Sequence, residues 1–221
     1  MIAGRRVRVA RPFRSPRMTP AFDLDAPCAS IARAIDTAGH GVVPHFIDGA
    51  LTAALRRRAL ALDAADALHA AGVGRGRSWM RDPAVRGDRI HWLDESEASA
   101  AERALLDALE GLRRALNERL MLGLFEVEAH YALYPAGAHY APHRDRFRDD
   151  DARVVSCVLY LNDGWQPHEG GMLRLHVEPV ALDVLPRGGT LVAFRADRTL
   201  HEVLPATRTR LSIAAWFRRR S

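Results

Sequence analysis

The chain of 221 residues contains no lysine: all 32 basic side chains are arginine, which excludes Schiff-base and other lysine-dependent chemistry. Only two cysteines are present, Cys28 and Cys157. They are too few and too widely spaced for a disulfide framework or a thiolate metal site, so both are expected reduced, with Cys157 in the core. No apolar run approaches the roughly 20 residues of a membrane span, and no apolar stretch followed by a small-residue cleavage site opens the chain. A cytoplasmic protein with no membrane partner is expected. The first seventeen residues contain no acid but hold Arg5, Arg6, Arg8, Arg11, Arg14 and Arg17, and removing these six charges takes the formal net charge from +5 to −1. The body is therefore not basic, and a pI near 10.0 does not argue for a nucleic-acid partner. Residues 1–24 lack helical or strand periodicity and read as a basic, disordered arm, or as extra sequence ahead of a start at Met18. A nucleic-acid or membrane-surface arm and a transit peptide are the weaker readings of the same segment.

What is present reads as one domain over 25–221, with a helical part at 25–124 and a β core at 125–219. Residues 26–39 suit a helix, and 41–47 a short strand broken by Pro44. Asp48 is placed to cap a second helix with Leu51, Leu55, Ala59 and Leu62 on one face. A third helix, from about Glu97 to Leu120, repeats the pattern with Leu105, Leu109, Leu112, Leu116 and Leu120. From Phe125 the chain changes to short β-rich runs at 125–134, 153–162, 171–177, 180–184, 190–194, 200–204 and 210–217, separated by Gly, Pro and Asn-Asp turns. Helices first and many strands after predict an α+β fold: a two-sheet jelly roll with the helices packed on one sheet. Period-two alternation puts Ser156, Val158 and Tyr160 on one face, and Arg210, Ser212, Ala214 and Trp216 likewise. The opposite faces are purely apolar, so the polar faces are expected to line a pocket.

His143-Arg144-Asp145, answered by His201 and then Arg210, carries the chemistry. His-x-Asp puts an imidazole and a carboxylate on one side of an extended segment. A second imidazole, 56 residues beyond Asp145, completes a facial triad with three open positions, the arrangement of a non-haem Fe(II) site. Arg210 follows His201 by nine residues, in the next strand, where a guanidinium can pair the far carboxylate of an acid chelated to the metal. The acid implied is 2-oxoglutarate, with dioxygen as the second co-substrate. His139 and His143, four apart, would suggest zinc on a helix, but Pro135, Gly137 and Pro142 break that helix, and His139 is read as solvated or locally bonded. His168 is expected to be exposed.

The run from Tyr134-Pro135 to Asp145, the segment Ser156 to Asn162 with Trp165, Gly170-Gly171-Met172-Leu173-Arg174, His201-Glu202-Val203 and Arg210 to Trp216 resemble the hypoxia-factor (EGL-nine type) prolyl hydroxylases and their bacterial relatives. Val85 to Trp92 is similar to a segment that precedes the catalytic core of that subfamily. The resemblance covers about residues 35 to 218. It implies a double-stranded β-helix with N-terminal helices and 4-hydroxylation of a prolyl residue in a protein substrate, with succinate and CO2 as co-products and ascorbate as reductant. It implies a co-substrate pocket of Tyr134, Val158, Tyr160, Leu173, Arg210 and Trp216, substrate contacts from Arg86, Asp88, Trp92 and Tyr140, and a mobile lid over Gly72 to Trp92. The segment Arg146 to Asp151 is far more charged than its counterpart in the animal enzymes, and their C-terminal helix has no counterpart before Ser221, so the resemblance does not name the substrate.

Three other functions fit parts of the pattern. A free amino acid or other small molecule could be hydroxylated on the same site. Nucleic-acid demethylation of the AlkB-like kind wants a second arginine six residues past the first, where this chain has Trp216. A cupin-like, non-catalytic metal- or ligand-binding jelly roll explains the histidines but not Arg210. No sequence feature sets an oligomeric state.

Overall fold

The computed structural model describes residues 24–72, 80–146 and 152–220. The basic arm before residue 24 and the whole of 147–151 therefore lie outside the described residues, as do 73–79.

Three helices form as their apolar spacing dictates. α1 (Asp25–Ala38) buries Cys28, Ile31, Ala32 and Ile35, one stripe at 3.6-residue spacing, and ends where Gly39, at φ +75°, returns its N–H to the Ile35 carbonyl. α2 (Gly49–Ala64) starts at Asp48, whose carboxylate accepts from the Leu51 N–H at 2.7 Å. α3 (Ala100–Leu120) begins two to three residues later than the sequence pattern suggests, because Ser99 and Glu102 close a reciprocal capping box that fixes the first turn. Its Leu105, Leu109, Leu112 and Leu116 are buried.

Among the described residues eleven strands follow or intervene: β1 (His40–Val43), β2 (His69–Ala70), β3 (Arg89–Trp92), β4 (Leu124–Tyr134), β5 (Tyr140–His143), β6 (Arg153–Tyr160), β7 (Leu173–His176), β8 (Leu182–Val184), β9 (Leu191–Arg195), β10 (Leu200–Val203) and β11 (Arg210–Arg219). A seven-stranded sheet in the order β1-β9-β6-β11-β4-β3-β2 faces a four-stranded sheet in the order β5-β10-β7-β8, and every ladder is antiparallel. This is the double-stranded β-helix, with the helices on the outer face of the larger sheet.

The two faces of the large sheet divide as the alternation requires. Val155, Cys157, Leu159, Leu211, Ile213, Ala215 and Phe217 pack in one core with the helical leucines. Tyr134, Tyr160, Val192 and Phe194 point the other way and meet Leu173, Leu175 and Val203 of the small sheet. Each fully buried leucine or phenylalanine in these layers stabilises the fold by roughly 1.5–3 kcal/mol. Cys28 and Cys157 are free thiols inside the helix-side core, where burial raises both. No described helix is long and apolar enough to cross a membrane.

β3 corrects one expectation. Arg89 to Trp92 is a rung of the large sheet, paired with β4 from Arg89↔Leu133 to Trp92↔His130, so the end of the presumed lid is fixed sheet. Val85 to Gly87 is also tied down, through Gly87 N–H to the His139 carbonyl and Ala141 N–H to the Val85 carbonyl. The ladder's hydrogen bonds outweigh the loop-like appearance of an Arg-Gly-Asp sequence.

Candidate active site

β5 and β10 lie side by side with His143 opposite His201, and Asp145 follows β5 by two residues. The ligand atoms of His143, Asp145 and His201 lie within 4.8 Å of one another, and no second group of three such side chains occurs among the described residues. Each imidazole approaches a different oxygen of Asp145: His143 Nε2 is 3.6 Å from Oδ1, and His201 Nε2 is 3.6 Å from Oδ2. The other ring nitrogens are tied to main-chain carbonyls, His143 Nδ1 to Ala141 O at 2.8 Å and His201 Nδ1 to Thr199 O at 3.2 Å. A carbonyl only accepts, so each Nδ1 carries the proton and each Nε2 offers its lone pair inward.

Charge is distributed to suit a cation. Burial works against ionisation of Asp145, but His201, His143 and Arg153 outweigh it and hold the carboxyl well below the usual range. Burial drives His201 down to about 4, against the pull of Asp145, so that ring is neutral near pH 7. One carboxylate with neutral nitrogen ligands is a donor set for Fe(II) and related divalent ions. Phe194 packs on the His201 ring at 4.5 Å, and Tyr140 stacks on His143 at 3.6 Å with only 17° between planes.

Deeper in the barrel, Arg210 is 1% exposed and has no carboxylate partner among the described residues. Its Nε donates to Gly171 O at 2.9 Å and its Nη1 to Ser212 Oγ at 3.2 Å, while Nη2 is buried without any partner. The guanidinium lies 5.2 Å from the Tyr134 ring and 5.1 Å from the Tyr160 ring. The Tyr160 hydroxyl is also buried and unpartnered; burial raises it to about 12, only partly offset by Arg210, so it remains a donor. A buried, unpaired guanidinium costs several kcal/mol unless an anion completes it, and two orphaned donors there fit one carboxylate of a diacid.

The remaining expected residues fall in two places. Val158 lies on the same inner face as Tyr134 and Tyr160, and Leu173 packs in the same cluster from the small sheet. Trp216 sits three rungs from Arg210 on its own face, opposite Ser156 and Glu128, with Arg153 3.8 Å above its ring and His130 5.2 Å away. An Arg153–Glu128 ion pair at 2.7 Å straps that tryptophan. Trp92 meets His130 edge-on at 4.9 Å, next to Trp216. Arg86 forks onto the buried Asp88 at 2.6 and 2.9 Å and lies 4.7 Å over Tyr140, so both charges are spent on each other. His168 is exposed, as expected, but His139 is neither fully solvated nor locally bonded: it is half-buried and reaches across to Ala84 O, 55 residues away in sequence, at 3.1 Å, because Ala84 lies in the segment that runs beside residues 139–141.

Several contributors escape a reading by motif. Gly171 is one: at φ +72° it passes so close that a Cβ would meet Ala206 at 3.0 Å, Trp165 at 3.1 Å and Arg210 Cδ at 3.4 Å, and its carbonyl steers the arginine. The Gly-Gly pair was the available signal. His130, Phe194 and the Glu128–Arg153 strap carried none, because their roles come from cross-strand register.

A family model of the 2OG-Fe(II) oxygenase superfamily matches residues 129–218. Human Egl nine homolog 1 is 35% identical over 143 residues, 60% of this chain and 33% of that protein, so the chain spans about a third of that relative's length. The crystal structure of a Pseudomonas putida prolyl-4-hydroxylase is 44% identical, with a TM-score of 0.78, covering 88% of this chain and 100% of that one. A Trichoplax adhaerens prolyl hydroxylase is 24% identical, with a TM-score of 0.80 over 88% of this chain and 90% of that one, which adds the fold. The chain belongs to the 2OG-Fe(II) oxygenase superfamily, among the EGL-nine type prolyl hydroxylases and their bacterial relatives.

Proposed function

We propose that the protein is an Fe(II)- and 2-oxoglutarate-dependent dioxygenase that hydroxylates a prolyl residue in a protein substrate and releases succinate and CO2. The observation that carries this is Arg210: a fully buried guanidinium with an unused donor beside the unused Tyr160 hydroxyl, in the same barrel as the His143–Asp145–His201 cluster. The likeness to a Pseudomonas putida prolyl-4-hydroxylase supports proline as the target, and the likeness to a Caenorhabditis elegans hypoxia-inducible factor prolyl hydroxylase, 31% identical over 60% of this chain and 20% of that protein, supports a protein as the carrier.

In this reading His143, Asp145 and His201 would hold the metal, which would supply the oxidising chemistry. The chain's own residues bind, orient and exclude. Arg210 and Tyr160 take the distal carboxylate, with Tyr134, Val158 and Leu173 forming the wall around it. Ala141 and Thr199 carbonyls fix the tautomers of the two histidines. Trp216, held by Arg153 and backed by His130 and Trp92, gives a rigid apolar wall for the target ring, and Tyr140 with the Arg86–Asp88 pair borders it. Ascorbate is the expected reductant.

Residues 25–221 form the oxygenase domain in this reading, and residues 1–24 an arm outside it. Reduced, buried cysteines support a cytoplasmic location. The test is incubation with proline-containing proteins from the source cell, Fe(II), ascorbate and 2-oxoglutarate. One added oxygen on a proline, with equimolar succinate, is expected. Turnover of a free imino acid alone would favour a small-molecule hydroxylase, and tight Fe(II) binding without oxygen consumption would favour a non-catalytic jelly roll. Activity surviving His143→Ala with Asp145→Ala would remove the reading.

A further inference from the structure

Three other arginines are matched by three acids. Arg86 pairs with Asp88 at 2.6 Å, Arg153 with Glu128 at 2.7 Å and Arg218 with Glu126 at 2.8 Å. The turn between β9 and β10 differs. There Asp197 serves three guanidiniums: Arg195 through Nε and Nη2 at 3.2 and 3.3 Å, Arg198 at 3.6 Å and Arg146 at 3.9 Å. Arg144 reaches into the same turn and donates to the Arg198 carbonyl at 3.3 Å instead of to an acid. Leaving Arg146 aside, Arg144, Arg195 and Arg198 outnumber Asp197 three to one among the described residues, and the Arg198 side chain is 77% exposed.

This excess is built into the metal site's own scaffold. Arg144 stands between two of the candidate ligands, and Thr199, at the end of the turn, holds the third through its carbonyl. With neighbouring Cα atoms 3.8 Å apart and an arginine reach of about 7 Å, the guanidiniums lie on the order of 10 Å from the point where the ligand atoms converge. An extended peptide crosses that distance in about three residues.

We propose that this arginine turn docks acidic side chains of the peptide substrate, about three residues to one side of the target proline, so that the protein selects prolines in locally acidic segments. The inference rests on the prolyl hydroxylase reading and specifies its substrate class. Guanidiniums left with an unfilled fork take carboxylates bidentately, and opposite charge beside a binding site speeds encounter and sets register. Exposed pairs are individually weak, so the cluster is expected to give about a tenfold preference. Phosphates would meet the same guanidiniums, but the body of the chain carries a formal charge of −1, which disfavours a polyanion as long as nucleic acid. Residues 149–151, all aspartate, lie outside the described residues.

The test uses the full chain with Mn(II) and 2-oxoglutarate under anaerobic conditions, and short single-proline peptides carrying three glutamates on one side or the other. Glutamine versions and a single-stranded oligonucleotide are the comparators, and binding is read by fluorescence anisotropy. One glutamate peptide should bind about tenfold tighter than its glutamine version, and the gap should close with added salt and in Arg144→Gln with Arg198→Gln. Arg198→Gln alone should narrow the gap while leaving Mn(II) affinity unchanged. No gap, a gap indifferent to those arginines, or an oligonucleotide that outcompetes the peptides through them would overturn the proposal. A parallel aerobic assay of the same peptides with Fe(II), ascorbate and 2-oxoglutarate separates the two readings: equal hydroxylation of both peptide types would remove the docking surface and keep the enzyme, and charge-selective binding with no hydroxyproline formed would do the reverse.

Discussion

His143 and His201 face each other across the β5–β10 ladder, ring centroids 4.2 Å apart, and each is oriented by the carbonyl two residues before it. The same short-range device on two paired strands presents both Nε2 atoms to Asp145. A site arranged by backbone geometry is in place before any ligand arrives.

Asp145 is the one charge among the three candidate ligands. Asp145→Ala should therefore lower Mn(II) affinity by at least about 100-fold while the far-ultraviolet circular dichroism stays unchanged. Anaerobic calorimetry of metal binding checks it.

Arg210 is expected to destabilise the ligand-free protein and to hold the co-substrate. Arg210→Met removes an unpaired buried charge and should raise the stability of the ligand-free protein by about 1–3 kcal/mol. In the same variant the stabilisation that 2-oxoglutarate gives the metal-loaded protein should disappear. Thermal melts with and without the acid read both effects.

The Arg86–Asp88 pair should show the opposite balance. Asp88 is fully enclosed as a side chain, so Arg86→Met strands a carboxylate and should cost about 3–5 kcal/mol in urea unfolding. The double variant with Asp88→Leu should recover most of that loss, because no unpaired charge remains.

Much of this was legible in the sequence because it follows short periods. The stripes of α1 to α3, the inner and outer faces of β6 and β11, and the His-Arg-Asp run each depend on residues a few positions apart. What was not legible depends on pairing over long separations. β3 looks like a loop until its partner β4 is known, because the Ile90↔Ala132 pairing joins residues 42 positions apart and is decided by sheet register. His130 offers no motif: it matters because Trp216 and Trp92 come to it from strands on either side. The start of α3 was missed by two to three residues because Glu97 looks like a first-turn acid, whereas Ser99 closes the cap.

Acid should weaken the fold through His130. Burial, reinforced by Arg86, pushes this histidine down to about 4, whereas the unfolded chain takes up its proton near the ordinary 6.5. Its contribution is fully present above 6.5 and is lost as the pH falls toward 4, at up to about 1.4 kcal/mol per pH unit. His130→Phe keeps a ring against Trp92 and Trp216 and should make stability less steep in pH by about one proton over that window. Urea titrations of the metal-free protein across the range would show it.

The most direct test of the central claim is calorimetric titration of 2-oxoglutarate, without oxygen, into the metal-free protein, the Mn(II)-loaded protein and Mn(II)-loaded Arg210→Met. The account predicts binding that needs both the metal and the guanidinium, weakened by at least about 100-fold when either is removed. Equal affinity in all three would contradict it.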